Sequence, residues 1–241
     1  GARNRALEHI RGKYILFVDS DDTLRKGAVQ ALLSKAMETN ADIVQGGFVN
    51  ITGHGLVFGR TGYREGSVDE TGQTPYGMAW GKVIRSSLFA HLKFPEGYWF
   101  EDTIFAFCIA PFQPTHYLIP EYVCNYTRNP LGITLRSRKK AKAVDTVWIM
   151  RYLMAELAQK KEVHSAQVQQ LLLQHIALAW YRLSRLDEAV QQAAFLVMQQ
   201  MYAGYYTSQD IFVQDSRLLA LHQALTAKSY GQYLAAAEKL T

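Results

Sequence analysis

Apolar positions follow two regimes along this chain. Up to about residue 140 they come in short runs such as Tyr14-Ile15-Leu16-Phe17-Val18 and Ala41-Asp42-Ile43-Val44, separated by stretches that hold most of the glycines and all six prolines. That is the texture of strands and helices joined by working loops. Beyond residue 140 there is no proline, and Ala, Leu, Gln and Met recur at helical spacing. This second part is expected to be almost entirely helix, packed in short antiparallel fashion.

The front part predicts a helix over Ala2 to Ile10, closed at Arg11-Gly12, where glycine can adopt the left-handed conformation of a helix end. A strand from Lys13 to Val18, a helix from about Lys26 to Thr39 and a strand around Ile43 to Phe48 follow. In such an alternation the loops at the carboxyl ends of strands hold the ligand. Residues 53 to 77, rich in Gly, Thr and Tyr, read as a substrate-facing loop with room for a hairpin. Order resumes over Trp80 to Phe94, then a turn and helix over Gly97 to Ile109 and a strand over Tyr117 to Tyr126. Helices are expected near 143 to 160, 164 to 184, 187 to 203, 209 to 226 and 229 to 239, without a repeat of about 34 residues. The division expected is an α/β domain over 1–140 and a helical region over 141–241.

Composition narrows this only a little. At roughly 150 residues per domain, 241 residues do not make two full-size domains. Apolar residues at 49% and charged residues at 20% exclude a disordered or fibrous chain. A net charge of +5 is too mild to argue for DNA, and no nucleic-acid partner is expected. Cys108 and Cys124 form no C-x-x-C pair and read as idle thiols of a reducing compartment. No apolar run approaches the roughly 18 residues of a membrane span, and the start lacks a signal peptide's apolar block, so a cytoplasmic location is expected. The opening Gly-Ala-Arg-Asn reads as the middle of a helix, and hence of a longer protein.

The candidate chemistry begins directly after the first strand. Asp19, Asp21 and Asp22 place three carboxylates within four residues, which repel one another unless a cation or donors satisfy them. A helix N-cap accounts for one carboxylate but not for three. Hard cations such as Mg²⁺ or Mn²⁺ take carboxylate oxygens and share substrate phosphates, which points to a substrate bearing a diphosphate.

Here the sequence resembles the family 2 glycosyltransferases of GT-A fold. The resemblance rests on Ala2-Arg3-Asn4-Arg5-Ala6-Leu7, Gly12-Lys13-Tyr14-Ile15 and Phe17-Val18-Asp19-Ser20-Asp21-Asp22, whose acidic cluster matches the D-x-D motif. It continues through Ala41-Asp42-Ile43-Val44, Trp80-Gly81-Lys82-Val83-Ile84-Arg85 with Leu88-Phe89, and Phe94-Pro95-Glu96-Gly97 leading into Phe100-Glu101-Asp102-Thr103. It covers about residues 1 to 135 and implies a partial GT-A fold that lacks the family's opening nucleotide-binding strands and is followed by an all-helical extension. A piece of that kind is expected to bind nucleotide poorly by itself.

The resemblance implies inverting transfer of a sugar from a nucleotide diphosphate sugar to an acceptor hydroxyl, in assembly of a surface polysaccharide or similar glycan. By residue, it implies Asp21 as metal ligand, Asp19 as ribose or metal contact, Asp22 in support, and Arg3 and Asn4 as a donor-facing pair. Asp102, beside Glu101 at the opening of a helix, takes the place of the family's catalytic base. Lys82 is a candidate phosphate contact, and Trp80 a candidate sugar platform that could equally be core. Tyr126-Thr127-Arg128-Asn129, with Ile133-Thr134, resembles the segment that closes over the donor, so Arg128 joins the candidate pocket. The His that some members use there as a metal ligand is missing.

Other readings compete. Asp19-Ser20-Asp21-Asp22-Thr23-Leu24 also spells the first motif of haloacid-dehalogenase-type phosphatases, with Asp19 as nucleophile. A non-enzymatic reading makes the chain an inert fragment with a helical interaction module. Arg136, Arg138, Lys139, Lys140 and Lys142 form a basic run that is either a solvated linker or a contact with an anionic membrane face, suiting a lipid-linked acceptor. In the helical part His164 and His175 read as surface or interface residues, Met150, Met154, Trp180 and Leu183 as a core stripe, and Tyr202, Tyr205 and Tyr206 as an interface edge. No chemistry is expected from that part.

Overall fold

A computed structural model describes residues 1–73, 77–109, 115–130, 132, 137, 140–159 and 163–240. The chain divides into two compact units, Gly1–Phe94 with Phe112–Gly132, and Pro95–Pro111 with Ile133–Thr241. The segment 95–111 therefore groups with the helices, which a single cut near residue 140 does not capture.

The first unit is a mixed sheet backed by one long helix. Helix α1 (Ala2–Leu7) leads to β1 (Tyr14–Leu16), β2 (Thr23–Leu24), α2 (Ala28–Thr39), β3 (Ile43–Thr52), β4 (Val57–Thr61), β5 (Gly66–Ser67), α3 (Val68–Thr71), β6 (Lys82–Arg85) and β7 (His116–Arg128). The strand order is β1-β6-β3-β7-β2, with β4 paired to β3 and β5 to β7. β6 runs antiparallel to both β1 and β3, so those two point the same way, while β7 lies parallel to β3. The first seven residues of β3 are all buried, which explains its unbroken apolar start.

Side-chain spacing sets the packing. Ala28, Leu32 and Ala36 recur every four residues on α2 and are buried against Val44, Phe48, Ile119, Val123 and Cys124. The helix ends at Asn40 in the left-handed conformation (φ 52°), and the Tyr14 hydroxyl donates to the carbonyl of Ala41 at 2.9 Å. At Gly46 a Cβ would lie 2.5 Å from Cγ1 of Val123 and 2.8 Å from the carbonyl oxygen of Glu121, so β3 and β7 approach there only because no side chain intervenes. Cys124 is a free, buried thiol whose pKa burial pushes up to about 12.

Several expectations shift. The first helix stops at Leu7, and Gly12 does not take the left-handed conformation. The loop after residue 53 does fold back as a hairpin, Gly59 facing Asn50, and then forms α3, whose capping box joins Ser67 and Glu70. β7 runs two residues past Tyr126 to Arg128.

Among its described residues the second unit holds a π-helical turn (Phe105–Ile109), a 3₁₀ turn (Ala141–Val144) and the helices α4 (Asp145–Gln159), α5 (Ala166–Leu183), α6 (Glu188–Ala203), α7 (Ser216–Thr226) and α8 (Tyr230–Glu238). Met150, Met154 and Leu183 are core, as expected. α7 starts at residue 216 instead of 209, because Gln169 engages the preceding segment, bonding the carbonyl of Asp210 and the N–H of Phe212, and Asp215 caps the helix. Tyr202 and Tyr206 are not an interface edge. Both are fully buried, Tyr202 2.7 Å from Nδ1 of His222 and Tyr206 bonded to the carbonyl of Val163. Among the described residues no helix is long and apolar enough to cross a membrane.

Candidate functional site

The acidic segment bridges β1 and β2. The backbone N–H of Asp22 returns to the carbonyl of Asp19 at 3.1 Å, so Asp19 to Asp22 form a turn. Helix α2 begins only at Ala28, behind Gly27 (φ 80°), and no side chain caps it. None of the three carboxylates is therefore used as a helix cap.

Each has its own tether. Nη2 of Arg3 donates to Oδ1 of Asp19 at 2.7 Å, and the Arg3 guanidinium also rests over Phe94 at 5.5 Å. Nδ2 of Asn129 donates to the exposed Asp21 at 3.0 Å. Oδ1 of Asp22 accepts the N–H of Thr127 at 2.8 Å, while its buried Oδ2 has no partner among the described residues. Burial raises the Asp22 carboxyl to about 6, opposed by the Thr127 N–H and reinforced by Asp21 and Asp19. Asp22 thus ties the turn to β7, and Asp19 and Asp21 keep oxygens at the surface.

The two-residue extension of β7 makes this possible. Thr52 of β3 faces Arg128, so Thr127, Arg128 and Asn129 come to the same end of the sheet as the acidic turn. Arg128 is exposed and lies over Phe58 of the hairpin at 5.9 Å. Asn129 had only its place in a resembling segment to mark it, whereas its bond to Asp21 is a tertiary contact. Ile133 and Thr134 fall outside the described residues.

Three expected side chains lie elsewhere. Lys82 is fully buried, because β6 sits between β1 and β3 with Lys82 facing Gln45. Desolvation drives its pKa well below that of an ordinary lysine. Asn4 is also buried and binds the backbone of Phe94 at both polar atoms, at 2.8 and 2.7 Å, which makes it a structural clasp. Trp80 is core, stacked on Tyr126 (5.2 Å, 14°) and edge-on to Phe48 (5.0 Å).

In the second unit Glu101 and Asp102 are half-buried in a turn, with Thr103 N–H on the Phe100 carbonyl at 3.0 Å and Phe105 N–H on that of Asp102 at 2.9 Å. Phe100 has φ 64°, a left-handed conformation that costs a bulky residue about 1–3 kcal/mol and persists where surroundings impose it. The surroundings are Arg182 of α5, whose guanidinium carbon lies 3.7 Å from the Phe100 ring centre, and Asp145, which accepts the Trp99 N–H at 2.7 Å. Burial lowers Arg182 to about 10, and Asp102 works against that. Sequence reading passed over Arg182, since an arginine near a helix end carries no motif.

Among the described residues no three His, Cys, Asp or Glu side chains are grouped to hold a cation by themselves. The surface oxygens of Asp19 and Asp21 are hard donors, suited to a Mg²⁺ or Mn²⁺ ion that takes further oxygens from a ligand.

Residues 1–93 match the family model for glycosyl transferase family 2. Glycosyltransferase GlyA of Streptococcus pneumoniae serotype 4 is 24% identical over 225 residues, 83% of this chain and 31% of GlyA. Glycosyltransferase GlyG of the same organism is 25% identical over 117 residues, 42% of this chain and 39% of GlyG. The chain spans less than half the length of these relatives. Among solved structures, S. aureus TarS 1-349 in complex with UDP-GlcNAc superposes with a TM-score of 0.75 at 18% identity, covering 98% of this chain and 70% of that one. The crystal structure of S. aureus TarS gives 0.66 at 19%, covering 98% and 42%. These likenesses establish the GT-A fold with its helical continuation, and the front of the chain, residues 1–93, is similar to the glycosyl transferase family 2 domain.

Proposed function

We propose that this chain carries the donor-diphosphate loop and the catalytic base of an inverting glycosyltransferase that moves a sugar from a nucleotide diphosphate sugar to an acceptor hydroxyl. The observation that carries the reading is the acidic turn: its carboxylates cap no helix, and two of them keep oxygens at the surface at the end of β1. Asp21 and Asp19 are the residues that hold Mg²⁺ or Mn²⁺, with Asn129 and Arg3 fixing their orientation. When bound, the ion neutralises the charge that grows on the departing diphosphate. Asp22 supports the turn from beneath through Thr127.

Asp102 accepts the proton of the acceptor hydroxyl as its oxygen bonds to the anomeric carbon and the bond from that carbon to the diphosphate breaks. A positioned base of this kind contributes about 10² to 10⁴ in rate. Glu101, next to the base, is assigned to the acceptor, and Arg128, at the end of the sheet that carries the acidic turn, to the donor. UDP-GlcNAc, held by TarS in its complex, is the first donor to try. A glycan or lipid-linked acceptor in polysaccharide assembly fits a cytoplasmic enzyme that touches the membrane through the basic run at 136–142. Arg136, Arg138 and Lys139 of that run lie outside the described residues.

The haloacid-dehalogenase reading loses its ground, since the family match and the fold both point to a transferase. The deciding experiment incubates the full-length protein with UDP-GlcNAc and other UDP-sugars, with Mn²⁺ or EDTA, and measures UDP release. Chelator-sensitive release supports the reading; release unaffected by EDTA removes the ion from it, and phosphate release from a phosphatase substrate replaces it.

A further inference from the structure

We infer that Arg182, in the last turn of α5, is a positioning residue for the Glu101-Asp102 turn, an inference that rests on Asp102 being the base. The guanidinium lies 3.7 Å from the Phe100 ring centre, and Nη1 donates to Oγ1 of buried Thr146 at 2.7 Å, which fixes the fork from behind. Phe100 is the left-handed residue that aims the next two, so a planar cation on its ring controls where Asp102 points. The same cation interacts electrostatically with Asp102.

The other supports act further back. Nζ of Lys142 reaches the Gly97 carbonyl at 2.7 Å and pairs with Asp145 at 2.9 Å, and Asp145 receives the Trp99 N–H. These hold the entry to the turn, while Arg182 acts at its acidic end. Among the described residues, charged and titratable groups near that end include Glu101, Arg182, the Lys142–Asp145 pair and His175, which packs on Phe107 at 4.7 Å and which burial keeps neutral down to about pH 4. Arg182 thus acts through Asp102, holding a carboxylate ionised and oriented for proton abstraction.

The test compares Arg182→Ala, Arg182→Lys, Thr146→Val and Asp102→Asn in the full-length enzyme, reading kcat, donor KM and the pH profile of kcat. Arg182→Ala is expected to lower kcat roughly tenfold or more, part of the 10² to 10⁴ a positioned base supplies. Donor KM should stay within about threefold, since donor binding is not what is lost. The acid limb should move to higher pH, because a carboxylate deprived of a cationic neighbour holds its proton more tightly. Arg182→Lys should restore the acid limb but not the full kcat, lacking the planar fork, and Thr146→Val should fall between.

A folded Arg182→Ala enzyme with unaltered kcat and an unmoved acid limb overturns the inference, as does wild-type kcat in Arg182→Lys. Should Arg182→Ala not fold, Arg182→Lys and Thr146→Val decide by the same readouts. An active Asp102→Asn enzyme instead removes the base itself, so the two failures are distinct.

Discussion

Asn4 grips the backbone of Phe94 across ninety residues of sequence, its Nδ2 donating to the carbonyl at 2.8 Å and its Oδ1 accepting the N–H at 2.7 Å. The clasp fastens the opening helix to the segment that precedes the second unit. Asn4→Ala leaves two buried backbone groups without these bonds, at about 1–3 kcal/mol for each buried group left unsatisfied. A loss of about 2–6 kcal/mol is expected in a urea titration. Asn4→Asp keeps the acceptor but loses the donor, and should also destabilise.

Asp21→Ala should leave stability nearly unchanged, because the side chain is exposed, yet abolish Mn²⁺-dependent UDP release in the full-length enzyme. Asp102→Asn should lower transfer by about 10² to 10⁴ without changing the Mn²⁺ requirement. Retained transfer in either variant removes that residue from its role. The pair of assays separates ion binding from base catalysis.

Gly46→Ala tests the packing of the central strands. The new methyl meets Val123 and the Glu121 carbonyl, the latter fixed in backbone. Overpacking of this kind costs about 1–3 kcal/mol. Thermal unfolding should show a lower midpoint, whereas alanine at Gly53, where a Cβ meets nothing within 4 Å, should not.

Acid should weaken the fold through His116. Its ring is buried beside Lys82, and desolvation lowers its pKa from 6.5 to about 3. Between those values the unfolded chain takes up a proton that the folded chain refuses. The stability from this site is therefore complete above pH 6.5 and falls as pH drops toward 3, by at most about 1.4 kcal/mol per pH unit. His116→Phe should flatten that limb in denaturant titrations run from pH 7 to 4.

The periodic parts of this fold could be read in advance. The helices of the second unit, α2 and the buried start of β3 all follow from apolar spacing, because burial of one face is a local property of sequence. The acidic turn was visible through charge repulsion alone. What could not be read were tertiary choices. Lys82 looks like a phosphate contact until β6 is known to lie between two strands, and Tyr202 looks like an edge until His222 and Gln169 are seen to close over it. Arg182 gains meaning only when its helix delivers it to Phe100, eighty-two residues back. Single polar side chains carry no period, so their destinations emerge only with the packed structure.

The segment from Phe17 to Asp22 links β1 and β2, which stand at opposite ends of the strand order. Four strand spacings at about 4.8 Å make roughly 19 Å, and seven peptide steps reach at most about 25 Å. With a turn already taking up part of that length, the segment is a strap that is short for the width of sheet it spans. Its carboxylates are tied at both ends to the sheet they cross. Insertions there would buckle the strap, so variation in what the protein accepts is free to accumulate at the hairpin after Thr52 but not between Leu16 and Thr23.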